Sequence, residues 1–70
     1  MPKLPGISQR DAVRALIRAG FYVDRQSGHV VMKKDGRTLV IPRNNPINPF
    51  TMAGIIRDAG MTIEEFKRFL

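Results

Sequence analysis

HVVMKKDGRTLVI, His29 to Ile41, turns back on itself at Asp35-Gly36. Asp-Gly is a two-residue hairpin signal, because a type I′ turn needs positive φ at both central positions. With that pair as the loop, Met32 faces Leu39 and Val30 faces Ile41 on one side of the ribbon. Lys33 then faces Thr38, and Val31 faces Val40, on the other. The first side is wholly apolar in these pairs, so helices should cover it. The second is left open.

Upstream, Phe21-Tyr22-Val23-Asp24-Arg25 reads as a strand and Ser27-Gly28 as the turn leading back to His29. Extending that turn the same way places Val23 opposite Met32 on the core side. Gln26 then lies opposite His29, and Asp24 opposite Val31, on the outer side. His29 is thus expected on the helix-free face, near the strand end where Pro42 and Arg43 arrive.

Helices flank the three strands. Ser8 is an N-cap with Asp11 in a capping-box position. Ala12, Val13, Leu16 and Ile17 follow at helical spacing, and Gly20 closes the helix as its C′ residue. The opposite face carries Arg10, Arg14 and Arg18. After the loop PRNNPINP, Asn48 caps a second helix with Pro49 at its first position. Met52, Ile55, Ile56 and Ala59 form its apolar face, and Gly60 ends it. Thr62 to Glu65 is a capping box opening a last turn or two through Phe66, Phe69 and Leu70. Phe50 should cover the helix end, and Tyr22 should face outward beside Lys33. The expected fold is α+β, a single small domain over residues 1–70, α-β-β-β-α(-α), with a three-stranded antiparallel sheet and helices on one face.

Bulk composition narrows the function. Seventy residues support only one thin core. Without cysteine there is neither a disulfide framework nor a thiolate metal site, which is compatible with a reducing cytoplasm. The N-terminal MPKLPGIS does not read as a signal peptide, and no stretch reaches membrane-span length. Twelve Lys and Arg against six Asp and Glu give a net charge of +6, and eight of the twelve cations are Arg. That balance favours polyanions, nucleic acid or an acidic protein surface, and Arg suits bidentate phosphate contact. The carboxylates have no metal-site spacing, so no metal and no cofactor are expected.

Several segments together resemble the HicA family, the small toxins of HicA–HicB toxin–antitoxin pairs. They are Ala19-Gly20-Phe21 after the first helix, Ser27-Gly28-His29, Asp35-Gly36-Arg37, Val40-Ile41-Pro42, and Ile56-Arg57-Asp58-Ala59-Gly60-Met61-Thr62-Ile63-Glu64-Glu65-Phe66. Each is weak alone; in order they cover roughly Ser8 to Phe69. The resemblance implies a double-stranded-RNA-binding-domain-like (dsRBD-like) fold and a metal-independent ribonuclease acting on mRNA. It also implies a catalytic histidine at the start of the second strand, here His29, and a HicB antitoxin covering it. The chain departs from the family pattern in three places. Ser27-Gly28-His29 replaces the common Gly-Ser-His. Arg43 and Asn44 stand where a second histidine often follows the third strand's proline. Pro49-Phe50-Thr51 replaces Lys-Gly-Thr.

RNA cleavage can use the ribose 2′-hydroxyl as nucleophile, so the protein need only move protons and stabilise phosphate charge. An imidazole suits either proton task, and cations aimed at the phosphate serve the other. His29 with Lys33, Arg37 and Arg43 nearby would meet these needs. Gly28 would supply the turn, and Gln26 or Asp24 would orient the ring. Arg10, Arg14 and Arg18 would contact RNA phosphates or an acidic antitoxin. Taken without the resemblance, His29 reads as a solvated strand residue and the arginine row as a soluble helix face. A non-catalytic RNA-binding module with the same fold is the alternative from another class.

Overall fold

The computed structural model describes residues 4–70. Met1, Pro2 and Lys3, part of the stretch read above for a signal peptide, lie outside the described residues. Helix α1 spans Gln9–Arg18, and strands β1 Tyr22–Ser27, β2 His29–Lys34 and β3 Arg37–Ile41 form an antiparallel sheet in that order. Helices α2, Pro49–Asp58, and α3, Ile63–Lys67, complete the domain. This is the architecture expected from the hairpin and cap signals.

The β2–β3 pairing is the one that Asp35-Gly36 dictates. Met32 pairs with Leu39, Val30 with Ile41, Lys33 with Thr38 and Val31 with Val40. Asp35 and Gly36 have φ of 47° and 79°, the positive pair of a type I′ turn. Val30, Met32, Leu39 and Ile41 are buried beneath the helices, while Val40 on the other face is exposed.

The two long helices end in the same way. Phe21 N donates to Leu16 O and Gly20 N to Ile17 O, and Met61 N to Ile56 O and Gly60 N to Arg57 O. These are Schellman closures, and Gly20 and Gly60 provide the positive φ they need, 103° and 79°. Each C″ residue, Phe21 or Met61, follows the glycine onto the core. At the opposite ends Ser8 Oγ accepts from Asp11 N, and Asn48 Oδ1 accepts from Phe50 N and Thr51 N. Ile7 and Ile47 are also buried, joined by a bond from Ile47 N to Ile7 O, so the N-terminal segment and the loop after β3 close one end of the core.

Three packing expectations are corrected. The stripe of α1 that enters the core is Ala12, Ala15 and Leu16, whereas Ile17 is 51% exposed. Val23 does pair with Met32, yet at the edge strand it is 39% exposed. Phe50 does not cover the helix end; it is 88% exposed, because the Asn48 cap turns the first helical residues outward and Met52 fills the core position.

Candidate active site

His29 opens β2 and is exposed on the open face of the sheet. The turn before it is tighter than Ser27-Gly28 suggests. Ser27 pairs with His29, Gln26 with Val30 and Arg25 with Val31, which leaves Gly28 alone at the bend with φ 81°. A register slip of one residue exchanges the faces of a strand. Arg25 and Ser27 therefore share His29's face, and Gln26 moves to the helix side, where it lines a groove with Gln9, Arg10, Val13, Arg14 and Val30. A β-bulge between Val23 and Arg25 absorbs the slip, so that Val23 still meets Met32 and Tyr22 meets Lys33. Asp24 is the extra residue of that bulge. Its carboxylate lies 3.6 Å from Lys33 Nζ. The expected positions of Gln26 opposite His29 and Asp24 opposite Val31 are thus corrected, and neither residue is His29's neighbour across the strands.

The cations separate into two groups. Arg43 lies against the turn that leads into His29: a β-carbon built on Gly28 would stand 3.2 Å from Arg43 Cδ and 3.6 Å from its Nη1. Glycine is what lets the arginine lie across the turn. Lys33 shares the open face but stands four residues further along β2, about 13 Å at 3.3 Å per residue. Tyr22, 58% exposed, is paired beside it.

Arg37, expected near His29, lies at the other end of the sheet, paired with Lys34. Its Nη1 donates to Asp58 O, 3.0 Å, at the C-terminus of α2. Lys34 does the equivalent for α1, donating from Nζ to Ala19 O at 2.8 Å with its ammonium 5.6 Å from the centre of the Phe21 ring. Cations at helix C-termini satisfy unpaired carbonyls and oppose the negative end of the helix dipole. Arg18 is likewise engaged, with Nη1 2.6 Å from Phe69 O. Arg10 and Arg14 have no hydrogen-bond or ion-pair partner among the described residues and border the groove with Gln26.

These bonds also fix the direction of the helices. Both α1 and α2 run from the His29 end of the sheet toward the Asp35-Gly36 turn. Their positive ends share one pole with His29 and Arg43, while their negative ends are neutralised by Lys34 and Arg37 at the other. The potential therefore favours an anion at the His29 pole.

Gln9, at the first position of α1, went unnoticed in the sequence. Its Nε2 donates to Gly28 O at 2.8 Å and to Ile41 O at 3.1 Å, and its backbone N donates to Asn45 Oδ1 at 3.0 Å. Both side-chain acceptors are carbonyl oxygens, so only the amide nitrogen can face them. Among the described residues no three His, Asp or Glu side chains gather as metal ligands, and no helix is long and apolar enough to cross a membrane.

Residues 10–61 match the family described as the HicA toxin of bacterial toxin–antitoxin systems. The chain belongs to the HicA toxin family. It is therefore the toxin of a toxin–antitoxin pair, with a cognate antitoxin as its partner. No curated protein matches the chain. The matched stretch of this HicA toxin includes His29, Arg43 and the whole sheet, and it begins one residue after Gln9.

Proposed function

We propose that this HicA toxin is a metal-independent endoribonuclease that cleaves mRNA in the cytoplasm, with His29 as its catalytic residue. A HicB-type antitoxin would silence it by covering the open face of the sheet. The observation that carries the reading is an exposed imidazole that directly follows Gly28, the turn residue against which the Arg43 side chain lies, at the pole toward which both long helices point their positive ends.

The substrate supplies its own nucleophile. The ribose 2′-oxygen attacks the adjacent phosphorus, the P–O5′ bond breaks, and the products are a 2′,3′-cyclic phosphate and a 5′-hydroxyl. One proton leaves the 2′-oxygen and one must reach O5′. His29 carries one of these transfers; the chain has a single histidine, so the other falls to a different group or to water. General acid–base help of this kind is worth roughly 10²–10⁴-fold. The Arg43 guanidinium balances the charge that builds on the phosphate oxygens. Arg25 and Lys33 give the approaching strand a cationic track on the same face, and Tyr22 offers a ring on which an unpaired base can stack.

Purified toxin incubated with RNA and a metal chelator tests this directly. Wild type should yield fragments ending in cyclic phosphate, and a folded His29→Ala variant should yield none. Equal cleavage by both would remove His29 from the chemistry. RNA binding without cleavage by the wild type would leave a non-catalytic RNA-binding module.

A further inference from the structure

We infer that Gln9 is a positioning residue for the RNA cleavage proposed above, holding His29 and Arg43 in one constellation. The inference rests on that reading. The carboxamide of Gln9 has two hydrogens, and each meets a different carbonyl, Gly28 O at 2.8 Å and Ile41 O at 3.1 Å. Gly28 O belongs to the peptide unit whose nitrogen is His29's own. Ile41 O belongs to the peptide unit that leads into Pro42 and then Arg43. One planar group therefore sets the peptide plane from which the imidazole departs and pins the strand end from which the guanidinium departs.

Other features of the chain leave this task to Gln9. Ser27-Gly28-His29 is a one-residue bend at positive φ, and the β1 strand before it is exposed along its whole length. Burial does not hold that strand, so its last turn depends on hydrogen bonds for a fixed orientation. Arg43 follows Pro42, whose ring nitrogen carries no N–H for the sheet. Gln9 is itself well anchored, at the first position of a helix, with its backbone N bonded to Asn45 Oδ1 at 3.0 Å. It is half-buried and lies outside the core cluster, as does Gly28; of its two acceptors only Ile41 O belongs to a core residue, and it is a backbone atom. What Gln9 does constrain is the relative placement of the two groups meant to act on one phosphate.

Displacing a reacting group by about 1 Å can cost on the order of 10²-fold in rate. Gln9→Met keeps the length and removes both donors, and Gln9→Asn keeps the amide but shortens its reach. Gln9→Lys restores donors at similar reach. Single-turnover cleavage at saturating RNA should fall about 10–100-fold in the Met and Asn variants, with RNA affinity within about twofold of wild type. The Lys variant should recover most of the rate, and the His29 ring signals in NMR spectra should shift in Met and return in Lys. Recovery by Lys is the readout that a merely structural role would not produce. If either folded variant, Met or Asn, cleaves at the wild-type rate while His29→Ala is inactive, the positioning role is wrong and the nuclease stands. If His29→Ala cleaves like wild type, the nuclease reading itself fails. Should Met not fold, Asn and Lys decide the matter between them.

Discussion

Arg43 lies across Gly28, so close that a single added methyl group would press on it at 3.2 Å. Gly28 has φ 81° and Gly36 has φ 79°, but a β-carbon at Gly36 meets nothing within 4 Å. The two glycines thus share their backbone cost and differ in their surroundings. Alanine in the left-handed region costs roughly 1–2 kcal/mol, and both Gly28→Ala and Gly36→Ala should lower stability by about that much in urea melts. Only Gly28→Ala should also push Arg43 aside and slow RNA cleavage by 10-fold or more. Equal activity in the two variants would mean that the Arg43 position is irrelevant.

Arg37 acts on the helix that packs over its own strand. Its bond to Asp58 O, together with that of Lys34 to Ala19 O, closes the carbonyl ends of α2 and α1 from adjacent strands. Removing a hydrogen bond of this kind, with its share of the dipole interaction, should cost about 1 kcal/mol. Arg37→Ala is expected to lower the midpoint of thermal unfolding and to leave single-turnover cleavage at saturating RNA unchanged. A large loss of rate with unchanged stability would return Arg37 to the substrate.

Local chemistry made most of the fold legible: Asp35-Gly36, the caps at Ser8, Asn48 and Thr62, and the glycines after each long helix all act within a few residues. The first hairpin was legible only in part, for a definite reason. All six residues of β1 are exposed, so no burial pattern marks which face each one takes. Two irregularities cancel there, since the one-residue bend at Gly28 shifts the register and the bulge at Asp24 shifts it back. The apolar pairing of Val23 with Met32 is then the same with or without them. Between the two irregularities Arg25 and Gln26 exchange faces and Asp24 becomes the extra residue of the bulge beside Lys33, so neither nominated partner lies opposite His29. The partners of Arg18, Lys34, Arg37 and Gln9 were hidden for a different reason. All of their side-chain partners are backbone carbonyls, which carry no residue-specific mark.

Arg10 and Arg14 differ from Arg18 in having no partner among the described residues, while Arg18 Nη1 is committed to Phe69 O at 2.6 Å. If the first two meet RNA, each removes about one counterion's worth of salt dependence when deleted. Arg10→Ala and Arg14→Ala should each flatten the slope of log affinity against log salt by roughly 1. Arg18→Ala should leave the slope alone and destabilise the docking of the C-terminus. A slope identical to wild type in both of the first two variants would assign that helix face to solvent or to the antitoxin.

Glu65 carries a pH dependence whose sign follows from its bonds. Thr62 N donates to Glu65 Oε1 at 2.9 Å, and Glu65 N donates to Thr62 Oγ1 at 3.1 Å, a complete capping box on α3. The backbone bond from Thr62, then its hydroxyl, and the charge of Arg68 hold the Glu65 carboxyl below its ordinary value. A group whose folded pKa is lowered contributes stability above its unfolded pKa, near 4.3 for Glu, and loses it as pH falls through the folded value. Glu65→Gln keeps an oxygen to accept from Thr62 N but removes the charge. The variant should therefore be less stable than wild type at neutral pH, and the gap should close as the solution is acidified below about pH 4. Urea melts of both proteins across that range provide the check. A gap that stays constant, or widens in acid, would show that the Glu65 charge does not stabilise the start of α3.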